Sequence, residues 1–382
     1  MKKTQPFTGK SAFDYFKSEK IKTGWNLGDT LDAHEKGISG ETLWGNPKAN
    51  QVLFNTVKKA RFDIVRIPVT WMGHFGGAPD FTIEESFLQR VDEVACYAQK
   101  AGLKAIINMH HDGMTENPKK NPGWHSINKA RKSKKGYDEV TRKFTLLWKQ
   151  IAQYFKNHGD WLFFEPMNEI HDGYWGNDEN GELKVTESLK KQFEIINNWN
   201  QVFTDTVRET GGNNSKRFLV IPGYCTVAEY TTSFLKLPKD SALNKQIVTF
   251  HYYDPYEFSI EESKSGWGSV KDRKKADKDF SPFKKKFIDK KIPVIIGECG
   301  AVLQLFPDDK EKEEIARKSR LDYISFVCSK AKEYGLVPVY WDCGEVTGDG
   351  EKFGLINRYN GKPNSPESEK IIKAMTQSFP DS

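Results

Sequence analysis

Residues 162–169 read LFFEPMNE, an apolar, aromatic half followed by a polar end that closes on an amide and a carboxylate. A short, nearly continuous apolar run of this kind is expected of a strand covered on both faces in a parallel sheet. The same design recurs at GWNLG (24–28), FDIVRIPVT (62–70), KAIINMHHD (104–112), RFLVIPGY (217–224), IVTFHYYDP (247–255), IPVIIGECG (292–300) and VPVYWDCG (337–344). Between the runs lie segments of helical period, among them 50–60, 84–101, 141–157 and 311–334. The last run is followed by 364–378, where SPESE sets a serine cap ahead of a proline at the first helical position. Eight strands, each followed by a helix, predict an α/β chain folded as a (β/α)8 TIM barrel. The whole of 1–382 reads as one domain, with strands from about 24 to 344 and long βα loops. No GxGxxG follows a strand, so no dinucleotide site is predicted.

Composition narrows the function classes. Hydrophobic residues make up 37% of the chain and are spread along it, enough for one sizeable core. Basic and acidic residues number 58 and 52, a net charge of +6 too mild and scattered for a nucleic-acid binder. The charged pieces KARKSKKG (129–136), KDRKKADKD (271–279) and DDKEKEEIARKSR (308–320) read as solvated loops and helix faces. No apolar run reaches the length of a membrane span. The opening MKKTQPFTGKSAFDYF has a basic start with no apolar run after it, so no signal peptide is read there. The five cysteines (Cys96, Cys225, Cys299, Cys328, Cys343) lack CxxC spacing, which speaks against a zinc scaffold or a disulfide framework. Cys299 and Cys343 end neighbouring strands and are expected to be buried thiols.

The polar residues collect at one end of the strands. Arg66, the His110–His111–Asp112 run, Asn168 and Glu169, His251 and Tyr253, Glu298, and Trp341 all fall near C-terminal strand ends, the face on which such barrels build active sites. Glu169 and Glu298 belong to strands on opposite sides of the barrel and can face each other across its mouth. Two carboxylates flanking a glycosidic bond supply one acid and one nucleophile, standing about 5–5.5 Å apart in the retaining geometry. His251 and Tyr253, two apart on one strand, point to the same side. Tyr253 is placed to hydrogen-bond the nucleophile carboxylate, and Arg66 to lower its pKa by opposite charge. Asn168 is suited to a sugar 2-hydroxyl and Trp341 to an apolar floor, while the negative charge of Glu298 is expected to raise the pKa of Glu169. Glu165, deeper in its strand, is expected to hydrogen-bond within the barrel. His110 and His111 are adjacent and should point to opposite faces, and neither HxH nor HExxH occurs, so neither a metal site nor a cofactor is predicted.

Aromatic residues reach 13%, with ten tryptophans. Seven of them (Trp25, Trp44, Trp71, Trp124, Trp175, Trp267, Trp341) fall at the catalytic strand ends or in the loops that follow, where flat rings suit the C–H faces of sugars. Trp44, Trp124, Trp175 and Trp267, joined by Tyr174 and His74, are candidates for outer subsites.

Taken in order and one per strand, RIPVTW, INMHHDG, PMNE, HYYDP, IGECG and YWDCG resemble glycoside hydrolase family 5, and the resemblance runs from GWNLGDTLDA (24–33) to FGLINR (353–358). The GWNLGDTLDA and RIPVTWMGHFG stretches are most similar to subfamily 4, whose members are endo-β-1,4-glucanases, several also acting on xyloglucan or lichenan. The resemblance implies double displacement with Glu169 as general acid/base and Glu298 as nucleophile. It implies that Arg66, His110, Asn168, His251, Tyr253 and Trp341 complete the catalytic centre. Asn26, His111, Trp44 and Trp175 are further candidate substrate contacts. One departure is Asp29, where that opening commonly has asparagine. The expected partner is a β-glucan such as cellulose, lichenan or xyloglucan, with no cofactor, nucleic acid or membrane, and the chain is expected to be a monomer. A polymer substrate is met outside the cell, so secretion is expected. The alternatives are a β-mannanase or other β-glycanase on the same site, or a non-catalytic carbohydrate-binding barrel.

Overall fold

The computed structural model describes residues 4–113, 123–177, 184–348 and 350–377. Eight parallel strands close into one barrel: β1 (Gly24–Asn26), β2 (Ile64–Ile67), β3 (Lys104–Ile107), β4 (Leu162–Phe164), β5 (Leu219–Pro222), β6 (Gln246–Tyr252), β7 (Val294–Cys299) and β8 (Val337–Tyr340). Each pairs with its neighbours in sequence, and β1 closes the ring against β8. Every expected run holds one strand, in the expected order. The strands stop earlier than the runs, however, with β3 ending at Ile107 and β4 at Phe164. Beyond those points the backbone climbs away from the regular ladder, held by single bonds such as His110 N to Val69 O at 2.8 Å and Asn168 N to Met109 O at 2.9 Å.

The pleat sorts the side chains. Ile64, Ile106, Phe163, Val220, Ile247, Ile295 and Val339 form a cluster of their own in the lower barrel, closed by Tyr15 and Phe16 of the helix Ala12–Ser18. Two residues further along, Arg66 and Thr249 in β2 and β6, and Asn108 and Glu165 just past the ends of β3 and β4, follow on the same inward side, all buried. A polar layer therefore rests on an apolar plug. The alternate residues, such as Val65, Ile107, Phe164, Val248 and Ile296, join the larger core under the helices.

The helices Gln51–Lys59, Glu85–Lys100 and Lys310–Tyr334 match the periodic segments to within a residue or two, and Lys134–Phe155 begins seven residues earlier than the period suggests. Pro366–Gln377 starts behind Ser365, whose Oγ accepts from Ser368 N at 3.0 Å; residue 378 lies outside the described part. Two long helices not singled out from sequence, Glu187–Glu209 and Val270–Lys286, complete the ring together with the short Ala228–Phe234 after β5. The second absorbs KDRKKADKD and opens on a capping box of Ser269 and Asp272. No described helix is long and apolar enough to cross a membrane. All five cysteines are free thiols; Cys299 Sγ faces Val339 O at 3.6 Å and Cys343 Sγ faces Glu351 O at 2.8 Å.

Candidate active site

Arg66 organises the floor of the mouth. Its guanidinium, almost completely buried, donates Nε to Glu165 Oε2 at 2.8 Å, Nη1 to Glu298 Oε1 at 2.7 Å and to Asn26 Oδ1 at 3.2 Å, and Nη2 to Asn168 Oδ1 at 2.7 Å. One cation thus joins β1, β2, β7 and the segments after β4. A planar fork of five donors suits such a task, and lysine could not replace it. Glu165 lies within the barrel as expected, accepting a second bond from Asn108 Nδ2 at 2.9 Å.

Glu298 and Glu169 face each other across the opening. Tyr253 donates its hydroxyl to Glu298 Oε2 at 3.0 Å, and His251 Nδ1 lies 2.5 Å from Glu169 Oε1 and 3.5 Å from Glu298 Oε2. An oxygen of Glu169, one of Glu298 and a nitrogen of His251 all fall within 4.8 Å of one another. That spacing matches a retaining pair and falls short of the roughly 6.5–9.5 Å an inverting pair needs for its water. A register shift between Phe250 and His251 re-aims the imidazole at this point. Gly297 makes room for it: a Cβ there would stand 2.6 Å from Thr249 Oγ1 and 3.1 Å from His251 Nε2.

The two carboxyls are tuned differently. Burial pushes Glu169 up to about 7, against opposing pulls from Arg66 and a hydrogen bond from Thr226 Oγ1 at 3.3 Å. The expected cause, the charge of Glu298, is replaced by desolvation. Burial also raises Glu298, but His251 and then Arg66 oppose it, and Arg66 and Tyr253 both donate to the ionised form. His251 is lowered to about 4 and His110 well below its usual range, in both cases chiefly by burial, so both imidazoles are neutral near pH 7.

His110 and His111 depart from the expected opposite faces. The strand has ended at Ile107 and His111 opens a 3-10 turn, so the pleat no longer applies and the two rings meet edge to face, 4.4 Å apart. His110 Nε2 stands 3.9 Å from Glu298 Oε1, and its ring stacks on Trp341 at 5.6 Å and 6°. His111 packs instead with His34 and the indole of Trp44, at 5.1 and 5.7 Å. Asn26, expected among the substrate contacts, does not reach the open mouth. It is fully buried, and its amide is spent on Arg66 and on the carbonyls of Gly297, Val339 and Tyr340, so it positions Arg66 and offers nothing to a substrate.

The tryptophans divide. Trp25 and Trp71 are core residues, their indole N–H groups taken by Asp342 Oδ2 at 2.8 Å and Asn108 O at 2.9 Å. Trp267 packs on Tyr323, Phe326 and Arg273, and Trp124 is tied to Asp112 at 2.6 Å, so neither presents a free platform. His74 lies flat on Phe87 and bonds to Glu84. Trp44, Tyr174 and Trp175 keep exposed rings on the βα loops. Trp175 has a left-handed backbone (φ +52°) held by His171, whose Nδ1 accepts from Gly173 N and Trp175 N at 3.0 and 3.4 Å and whose ring covers the indole at 4.1 Å.

Asp29 also has a physical account. Its backbone is left-handed (φ +53°), a conformation that asparagine and aspartate tolerate best after glycine. Burial, then the nearby Asp32 and Glu351, push its carboxyl up to about 9. At neutral pH it is uncharged, and so close in character to an asparagine. Sequence reasoning missed Asn108, Thr226 and His171. Asn108 could have been found as the polar residue two beyond Ile106; Thr226 sits in a turn whose approach to Glu169 has no local signal.

Residues 29–346 match the family described as cellulase (glycosyl hydrolase family 5). Endoglucanase A of Paenibacillus barcinonensis is 33% identical over 379 residues, covering 93% of this chain and 87% of its own. A GH5-4 broad specificity endoglucanase from Bacteroides salanitronis superposes with a TM-score of 0.86 at 38% identity, over 99% of this chain and 98% of that one. The Bacteroides ovatus GH5 xyloglucanase, solved with a XXXG heptasaccharide, superposes with a TM-score of 0.83 at 31% identity, over 99% of this chain and 79% of that one.

Proposed function

The chain belongs to glycosyl hydrolase family 5 and is an endoglucanase of β-glucans acting with retention, and on that premise we propose that Glu298 is its nucleophile and Glu169 its general acid and base. The observation that carries this reading is the pair of carboxyls from β7 and the end of the β4 run, with oxygens within 4.8 Å of each other. Glu169, neutral up to about pH 7, gives its proton to the leaving glycosidic oxygen while a Glu298 oxygen bonds to the anomeric carbon. The C–O bond to the leaving sugar breaks with its electron pair. Water then attacks the glycosyl-enzyme as Glu169 takes its proton back, and Glu298 leaves.

The neighbours act on these steps. Arg66 and Tyr253 donate to the ionised form of Glu298, one to each oxygen, and fix the orientation of the carboxylate for attack. When Glu298 is neutralised in the covalent intermediate, Arg66 still has Glu165 as a counter-charge. His251 orients Glu169, and Asn168, pinned by Arg66 through its carbonyl oxygen, keeps its amide N–H groups for a sugar 2-hydroxyl. Trp341 floors the reacting sugar, and Trp44 and Trp175 take rings further out along the chain. The preferred polymer is a β-1,4-linked glucan, decorated or mixed-linkage, and we place its hydrolysis outside the cell by a monomer. Product release from cellulose, lichenan, xyloglucan and mannan, with the anomer of the first product read by NMR, tests this: β-anomer from the glucans supports it, and mannan as the best substrate or a first-formed α-anomer overturns it.

A further inference from the structure

Away from the mouth, one cluster has a different chemistry. Asp92 and Cys96 stand four apart, hence on one face, in the helix Glu85–Lys100. His158 lies in the turn that carries the chain from the helix Lys134–Phe155 to β4, at the opposite end of the barrel from Glu169. Asp92 and His158 are buried, and Cys96 is half-buried and opens to solvent. His158 Nε2 is 2.7 Å from Asp92 Oδ1, Cys96 Sγ is 3.5 Å from the same oxygen, and one donor atom of each residue lies within 4.8 Å of the others. A thiol, an imidazole and a carboxylate are the three protein donors zinc takes. Around a tetrahedral ion with ordinary bond lengths, sulfur and carboxylate oxygen stand about 3.6 Å apart, and nitrogen and oxygen about 3.4 Å apart. The first edge is already present, and the second is reached by opening the His158–Asp92 contact by about 0.7 Å.

We propose that Asp92, Cys96 and His158 form a zinc site with three protein ligands, open to water past Cys96, which clips the helix Glu85–Lys100 to the turn before β4. Binding deprotonates the Cys96 thiol and takes His158 through Nε2 in its neutral form. The site has no part in hydrolysis. It anchors the region on which Gln5 also converges, its Oε1 accepting from Gly159 N and Gln99 Nε2 at 2.9 and 3.2 Å.

The test uses the full chain, stripped with chelator and exchanged into metal-free buffer, with zinc chloride alone as the probe. Cys96 is the one cysteine that is not buried, so alkylation of the native protein, mapped by mass spectrometry, reports on it. Zinc should slow alkylation of Cys96 at least tenfold in the wild type and leave it unchanged in His158→Gln and Asp92→Asn. Cobalt in place of zinc should give the wild type a thiolate-to-metal absorption band that Cys96→Ser lacks, a readout that stands even if the histidine variant fails to fold. Unprotected Cys96 together with no cobalt band overturns the proposal. So does zinc that inhibits hydrolysis while Cys96 stays reactive, which would place the ion among the carboxylates of the mouth.

Discussion

Glu169→Gln should cost the protein its activity and increase its stability, and the size of the gain follows from the structure. In the unfolded chain a glutamate titrates near 4.3; in the folded protein burial holds Glu169 at about 7. Between those two values the folded state binds more protons than the unfolded one. Stability contributed by this group is therefore fully present below about pH 4.3 and falls as pH rises, levelling off above about pH 7. Each pH unit of displacement is worth about 1.4 kcal/mol, so the full loss is about 4 kcal/mol, or about 3 after allowing for the 18% exposure of the side chain. Glutamine has the same shape, can still pair with His251 and has no charge to desolvate. With about 2.1 cal/mol/K of unfolding entropy per residue, a chain of 382 residues gains about 4 °C in Tm from that amount. The assay is thermal unfolding of wild type and Glu169→Gln from pH 4 to 8.5. The two should coincide near pH 4, with the variant about 4 °C higher at pH 8. Equal Tm values at both ends, or a variant less stable at pH 8, would refute the reasoning that Glu169 is a carboxyl held neutral by its site.

The same proton governs rate: kcat/KM on a soluble β-glucan should fall as pH rises through about 7, and Glu169→Gln should lose that limb on an aryl cellobioside whose leaving group needs no acid. Glu165→Ala leaves Arg66 buried with one carboxylate partner in place of two and should cost about 3–5 kcal/mol, read as a Tm lower by about 4–6 °C; an unchanged Tm would show that Arg66 does not depend on Glu165. His171→Ala removes the acceptor that holds Trp175 and should raise KM several-fold on long glucans while leaving aryl cellobioside kinetics near wild type; equal effects on both substrates would place His171 elsewhere in the mechanism.

The barrel and the group of polar residues gathered at its mouth were legible because both depend on local patterns. A strand covered on both faces must be apolar, so the polar residues that end it stand out, and Arg66, His110, Asn168, Glu169, His251, Tyr253, Glu298 and Trp341 were all visible in that way. Facing was less legible. Trp25 and Trp71 occupy the right level of the barrel but point outward into the helix layer, and Asn26 points inward beneath Arg66. The relation of His110 to His111 was misread because the pleat ended three residues earlier. Thr226 approaches Glu169 from a turn in which Cys225 and Thr226 both have left-handed φ, and nothing in YCT foretells that. Asp92, Cys96 and His158 belong to two separate elements, so no spacing rule links them.

The central assignment is tested most directly by azide rescue. On a 2,4-dinitrophenyl β-cellobioside, Glu298→Ala with azide should recover turnover and release the α-glycosyl azide, because the anion enters the space left by the nucleophile. Glu169→Ala with azide should yield the β-glycosyl azide, formed on the intact covalent intermediate. The reverse pairing of variants and anomers would contradict the assignment, as would wild-type turnover in either variant without azide.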